Sequence, residues 1–349
     1  MLVGMRLRYR YRLGPDPAQR RALAKAFGCA RVVFNDGLRA REDADKAGRP
    51  YLSDGELSRR LTVAKGTPER AWLGEVSAVA LQQSLADLHR AYRNYFRALA
   101  EAKPARARGE QARLKVGKPR FKSRHHDQAV RFTANSRLRV LPDGRLSLPK
   151  IGDLKVRWSR PLPADPSSVT ITLDGAGRYH ASFVVEVREV PLPAVEEAVG
   201  VDLGLTSFAA LSTGEKVDNP RWLRQREGAL RRSQRNLARK QQGSQNREKA
   251  RRRVARLHAR VADARRDFHQ QLSTRVVREH QTVCVETSTS PGWAAPSWPR
   301  ASTTPGWASS RPCWSTRRPS TAAKSSRLTR GIRRRSCARR AGTAPAQSL

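Results

Sequence analysis

The chain has 349 residues, with 70 Lys+Arg against 30 Asp+Glu, a formal net charge of +40 and a pI of about 11.6. That excess calls for a polyanionic partner, nucleic acid first; no long apolar run or amino-terminal signal pattern favours a membrane, and the expected setting is cytoplasmic and nucleoid-associated. The four cysteines, Cys29, Cys284, Cys313 and Cys337, form no Cys-x-x-Cys pair, which excludes a zinc ribbon in the chain as written.

Met5 to Leu13 alternate with period two. Leu7, Tyr9, Tyr11 and Leu13 share one face; Arg6, Arg8, Arg10 and Arg12 share the other. A half-buried strand with outward arginines suits phosphate contact, the plainer alternative being a solvated charged face. Gly14-Pro15-Asp16-Pro17 ends the strand, and Asp16 and Pro17 fit the N-cap and first position of a helix. The apolar spacing predicts that helix to about Phe27 and a second from Cys29, carrying Val32, Val33, Phe34 and Leu38. A further amphipathic helix is predicted over Glu75 to Leu99, with Tyr92, Tyr95 and Phe96 as core residues. Residues 102–124 are basic and poor in apolar side chains. There Lys118-Pro119-Arg120-Phe121-Lys122 sets an aromatic ring between cations, which fits a nucleic-acid groove or a solvated linker. His125-His126 has no metal-ligand spacing and reads as surface.

Six short β-rich runs follow between residues 129 and 190, separated by turns of which Pro142-Asp143-Gly144 and Leu173-Asp174-Gly175 are the clearest. They suggest a small barrel that the amino-terminal strand joins, making the helices at 17–100 an insertion. Val199 to Leu205 is then an apolar run with one carboxylate, Asp202, and Thr206 to Ser212 forms a hairpin with it. Thr282 to Val285 is another β-rich run, and it ends at Glu286. Two acids at strand ends in so basic a chain point to metal-dependent chemistry on nucleic acid; alternatively Asp202 caps a turn and Glu286 marks a strand end. Between them a helix opens at Asn219-Pro220, with Leu223, Leu230 and Leu237 at heptad spacing. A turn at 242–246 leads to a longer helix reaching about His280, and the two are expected to pack as a basic hairpin.

In order, these stretches resemble the TnpB, or OrfB, proteins of insertion sequences. The matching residues are Leu7 to Leu13 with Pro17 and Gln19, Phe27-Gly28-Cys29-Ala30-Arg31 with Asn35, Lys118 to Lys122, Leu148-Pro149-Lys150-Ile151-Gly152, Gly200 to Gly204, Gly243 to Arg247, and Val285-Glu286. The resemblance implies a transposase-type, RNA-guided DNA endonuclease related to type V CRISPR effectors. It implies an α+β multidomain fold: a β-barrel wedge domain (1–16 and 125–195), an inserted helical recognition domain (17–124), a truncated RuvC/RNase H-like α/β domain (196–286) and a disordered tail (287–349). The partners it implies are a guide RNA from the element's own end and a DNA target, with no membrane. In that family three carboxylates hold two Mg²⁺; Asp202 matches the first and Glu286 the second. Two hard cations about 3.5–4 Å apart clamp the attacking and leaving oxygens of a phosphodiester and need several carboxylates to hold them. The expected nucleic-acid contacts are Arg6, Arg8, Arg10, Arg12, Lys118, Arg120, Phe121 and Lys122.

The pattern breaks after Glu286, where the family would continue Asp-Leu-Asn and this chain reads Thr287-Ser288-Thr289. No Asp or Glu occurs from Thr287 to Leu349, and Trp293, Trp298, Trp307 and Trp314 stand among Ser, Thr, Ala, Pro and Arg. Such a composition cannot bury a core. Read two bases later with G/C-rich codons, Leu328 to Gly342 can spell D-P-W-H-P-S-S-K-L-C-S-A-C-G and Cys313 to Thr321 can spell L-E-Y-K-A-A-E-Y, like the family's helix and half of its zinc ribbon. One base lost after codon 286 would produce this tail. The third acid and the Zn²⁺ ligands then have no counterpart, Mg²⁺ binding is expected to be weak or absent, and the copy is expected not to cut. The alternative is a non-catalytic RNA- or DNA-binding remnant or repressor.

Overall fold

The computed structural model describes residues 4–108, 116–124, 128–188, 195–204 and 206–285. His125-His126, Glu286 and the tail from Thr287 lie outside them. Two compact units divide the chain: residues 1–189 with 221–265, and residues 190–220 with 266–349.

The first unit is built on β1 (Gly4–Gly14), α1 (Pro17–Lys46), α2 (Asp54–Gly66), α3 (Ala78–Ala107), β2 (Gln128–Thr133), β3 (Arg139–Val140), β4 (Leu146–Leu148), β5 (Gly152–Arg157), β6 (Pro166–Leu173) and β7 (Tyr179–Arg188). Its strands form one antiparallel sheet in the order β2-β6-β7-β1-β5-β4-β3. The amino-terminal strand therefore lies mid-sheet, paired with β7 from Gly4↔Arg188 to Leu13↔Tyr179 and with β5 at Arg12↔Arg157. No pairing joins β2 to β3 among the described residues, so the ladder is open where a closed barrel was expected. The period-two pattern decides the faces. Tyr11, Leu13, Ala181, Phe183 and Val185 are buried, with Phe183 against Tyr11 and Trp158, while Arg6, Arg8, Arg10 and Arg12 are exposed on the opposite face.

Asp16 caps α1 through a capping box: its side chain accepts from Gln19 N–H, and the Gln19 side chain accepts from Asp16 N–H. The helix does not break at Phe27 as the sequence suggested; it runs unbroken to Lys46. Gly28 costs a helix only about 1 kcal/mol. Leu23, Phe27, Ala30, Phe34, Leu38 and Arg41 continue one buried stripe across it, and their packing outweighs that cost. At Gly37 a Cβ would stand 3.0 Å from Leu88 Cδ2 and 3.2 Å from Leu85 Cδ2, so α1 and α3 meet closely there. α2, which no sequence expectation covered, is capped by Ser53, whose hydroxyl accepts from Glu56 N–H. A short 3-10 stretch, Pro68–Glu75, delays the start of α3 to Ala78. Of the three aromatic residues expected in the core, Tyr92 is buried, Tyr95 is half-buried and Phe96 is exposed. The Arg41 guanidinium, 3 % exposed, ties the three helices together: Nη2 donates to Asp54 Oδ1 at 3.0 Å and lies 3.0 Å from His89 Nδ1, and the group stacks 4.3 Å from the Tyr51 ring.

This unit also includes α4 (Trp222–Ala238) and the first part of α5 (Gln245–Glu279). Leu230 is buried, but Leu223 and Leu237 are only half-buried, so the heptad stripe of α4 is not a closed seam. In the second unit β8 (Ala198–Asp202), β9 (Ser207–Leu211), β10 (Lys216–Asp218) and β11 (Thr282–Val285) form a sheet in the order β10-β9-β8-β11. β8 and β9 are antiparallel, as the hairpin pattern predicted, and β11 lies parallel to β8. Val199, Val201, Phe208 and Leu211 pack on Leu272 and Val276 of α5, with Phe268 edge-on to Phe208 at 5.0 Å.

Gly37→Val should cost about 1–3 kcal/mol by overpacking, read by urea denaturation. His180 on β7 is 7 % exposed, and burial, followed by the charge of Arg10, pushes its pKa down to about 4. The unfolded imidazole takes its proton near 6.5 and the folded one only near 4, so this group costs stability progressively as pH falls through that window. In the same window His180→Gln should show a flatter stability profile by chemical denaturation.

Candidate functional site

Pairing with β7 sets the spacing of the four exposed arginines of β1: Arg12 lies opposite His180, Arg10 opposite Ser182, Arg8 opposite Val184 and Arg6 opposite Glu186. Side chains two residues apart on one strand face stand roughly 6.5–7 Å from each other, a row that can follow a phosphate backbone. Arg6 has a loose ion pair with Glu186 at 3.9 Å, and Arg12 reaches Asp263 at 3.5 Å. Exposed pairs of this kind contribute little and leave the charges available.

The Lys118–Lys122 segment is strapped along α1. Asn35 grips the backbone of Lys122 from both sides, donating Nδ2 to its carbonyl at 3.0 Å and accepting from its N–H at 2.8 Å. Lys122 Nζ sits 4.0 Å from the centre of the Phe34 ring, Arg39 lies 5.8 Å from that of Phe121, and Lys118 pairs with Asp45 at 3.6 Å. Contacts at 34–35, then 39, then 45 show the segment running antiparallel to the helix. Arg120 and Phe121 remain exposed, Phe121 at 46 %. The sequence missed this strap because its partners are some 70–90 residues away.

Further arginines converge on one cavity of the same unit. Arg20, Arg157, Arg251 and Arg252, which the sequence did not single out, come from α1, β5 and α5, and Arg124, the end of the basic stretch at 102–124, joins them. No periodic signal links them.

Asp202 is the last residue of β8 and is exposed. The alternation that buries Val199 and Val201 turns it to the face away from their packing. The following turn is tight: a Cβ on Gly204 would stand 3.0 Å from the Ser207 carbonyl oxygen. The row through Asp202 continues to Ala210 on β9 and Lys216 on β10. Among the described residues no group of three or more His, Cys, Asp or Glu side chains could hold a metal ion. The described part of the site supplies one carboxylate, which does not by itself fit a pair of divalent cations, and Glu286 lies outside it.

A family profile described as a probable transposase, of the OrfB type, matches residues 182–288, and one described as a helix-turn-helix domain matches residues 1–49. In this chain the latter stretch is a strand followed by one uninterrupted helix. A candidate RNA-guided DNA endonuclease of Streptomyces pristinaespiralis is 42 % identical over 289 residues, 82 % of this chain and 68 % of that protein. InsQ of Escherichia coli K12, likewise named as a candidate RNA-guided DNA endonuclease, is 31 % identical over 280 residues, 80 % of this chain and 65 % of that protein. The chain thus spans about two thirds of the length of these relatives. A solved complex of Cas12f1 with guide RNA and target DNA aligns over 89 % of this chain and 88 % of that one at 10 % identity, with a TM-score of 0.43, too loose to bear on the fold. These matches put the chain in the transposase class. It belongs to the OrfB, or TnpB, family of insertion-sequence proteins.

No helix among the described residues is long and apolar enough to cross a membrane. Asn35→Ala should free the strap and raise amide hydrogen exchange at Lys122 and its neighbours about tenfold or more, the loss of two side-chain-to-backbone hydrogen bonds of roughly 1 kcal/mol each.

Proposed function

We propose that this chain is a transposon-encoded protein of the RNA-guided DNA endonuclease type that holds an RNA from its element's own end but no longer cuts DNA. The observation that carries the binding half is the exposed arginine row of β1, in a chain of net charge +40 whose relatives bear that name. On this reading the sheet of the first unit is the wedge domain, formed by residues 1–16 and 125–195, and residues 17–124 are the recognition insertion. Arg6, Arg8, Arg10, Arg12, Lys118, Arg120, Phe121 and Lys122 contact phosphates and bases.

Residues 196–286 are the opening of a RuvC/RNase H-like domain. An antiparallel β8-β9-β10 meander, helices, and then a strand parallel to β8 support that assignment. Asp202 and Glu286 are its first two acids. In support, β8 and β11 run parallel with Val285 opposite Val201, one residue before each acid, and ligands of α/β sheets gather at the carboxyl ends of such strands. Mg²⁺, when bound in this family, supplies charge neutralisation at the phosphodiester. With only two acids for a pair of cations, we assign this chain weak binding or none.

The family match ends at residue 288, and no acidic residue follows Glu286. The acid-free tail supports a lost base after codon 286. The protein is then a binding remnant, able to compete with or repress intact copies.

Full-length protein should bind RNA from the element's end about tenfold or more tighter than an unrelated RNA at roughly 0.15 M salt. It should not cleave a matched DNA target with Mg²⁺ present, and restoring the alternative frame should bring cleavage back. Robust cutting by the present chain, abolished by Asp202→Ala, would refute the loss of activity; equal affinity for any RNA would refute the guide reading.

A further inference from the structure

A cavity of about 670 Å³ opens in the first unit where the end of β1, the first turn of α1, the end of β5, the β6–β7 turn and the start of α5 meet. That volume lies within the range of ligand pockets, roughly 300–1,000 Å³. Its wall holds seven arginines and two carboxylates, Asp174 and Glu248. Even with Asp263, which pairs with Arg12 and Arg178, four positive charges stay unmatched among the described residues.

The acids are already engaged as braces. Burial alone would raise the Asp174 carboxyl, but the Arg178 backbone N–H and guanidinium donate to it and hold it below its usual range. The Arg251 guanidinium donates twice to Glu248, at 2.9 and 2.7 Å, and lowers it likewise. The β6–β7 turn is rigid: Asp174 Oδ1 accepts from Ala176 and Arg178 N–H, and Gly177 takes φ +79°, which a side chain would strain. Arg20 is aimed by its Nε bond to the Pro15 carbonyl at 2.9 Å. The Arg157 side chain, unlike its backbone in the β1–β5 ladder, has no hydrogen-bond or ion-pair partner among the described residues, although it lies in the wall.

Among the described residues one aromatic ring shares the cavity. The Tyr179 phenol lies within reach of the charges of Arg20 and Arg252. The ring packs on the core while reaching the cavity wall, and an aromatic ring at a wall of guanidinium groups accepts a stacked base with a phosphate on either side of it. The space is too small for a duplex, and ionised carboxylates and turn carbonyls in the wall are acceptors that a deoxyribose cannot use and a 2′-hydroxyl can.

We propose that this cavity seats one unpaired ribonucleotide of a bound RNA, its base against Tyr179, its flanking phosphates on the arginines and its 2′-hydroxyl on an acceptor of the wall. The inference rests on the RNA-binding reading above and adds a site, a ligand unit and a preference for ribose.

Two measurements on the full-length chain test it separately from that reading. The first uses uridine 3′,5′-bisphosphate as probe, by calorimetry. Wild type should bind it, the 2′-deoxy analogue should bind about fivefold more weakly for one lost hydrogen bond, and both the Arg157→Gln/Arg252→Gln double variant and Tyr179→Leu should lose binding with an unchanged circular dichroism spectrum. The second uses RNA from the element's end. The double variant should lower the salt slope of its affinity by about 1.4, two single-strand phosphate contacts. No probe binding by wild type, or equal binding by wild type and the double variant, overturns the cavity assignment. An unchanged salt slope with selective RNA binding retained also overturns it and leaves the functional reading standing. Probe binding that depends on Arg157 and Tyr179, in a chain that does not select its own RNA, supports the cavity and removes the broader reading.

Discussion

The first unit depends on the ladder between β1 and β7. Ten residue pairs join a strand at the start of the chain to one some 170 residues later. That pairing places β1 mid-sheet, buries Tyr11 and Leu13 with Phe183, and sets the arginines outward. A slip of one residue would put Arg8, Arg10 and Arg12 into the core and the apolar side chains into water. With four arginines on one strand that error is prohibitive, so charge pattern and core pattern enforce the same register.

A chain of net charge +40 must also keep its cations apart or braced. Carboxylates do this at a few points: Asp174 and Asp263 on Arg178, Glu248 on Arg251 and Arg252, and Asp54 on the buried Arg41. The same pairs fix side-chain direction. A guanidinium held on two sides would lose less entropy on meeting a phosphate, so on the proposed reading the surface is preorganised rather than merely positive.

Local rules carried the sequence reading a long way. Period two gave the faces of β1; Asp16 gave the start of α1; Asp143-Gly144 and Asp174-Gly175 gave the turns that separate the strands; and the apolar run around Asp202 gave a strand that hairpins with the next. The failures were of another kind. The break expected near Gly28 weighed a local helix penalty without the packing of Phe27, Phe34 and Leu38 that overrides it. The grip of Asn35 on Lys122 and the gathering of Arg20, Arg157 and Arg252 depend on distant segments meeting, which no window of sequence reports.

The long β1–β7 separation also bears on synthesis. At about 5–20 residues per second, β1 leaves the ribosome some 10–30 s before its partner exists. During that wait the helices between them can form from local contacts, while β1 stays an arginine-studded thread beside ribosomal RNA. Once residue 188 has emerged, the sheet can close before the last third of the chain is made.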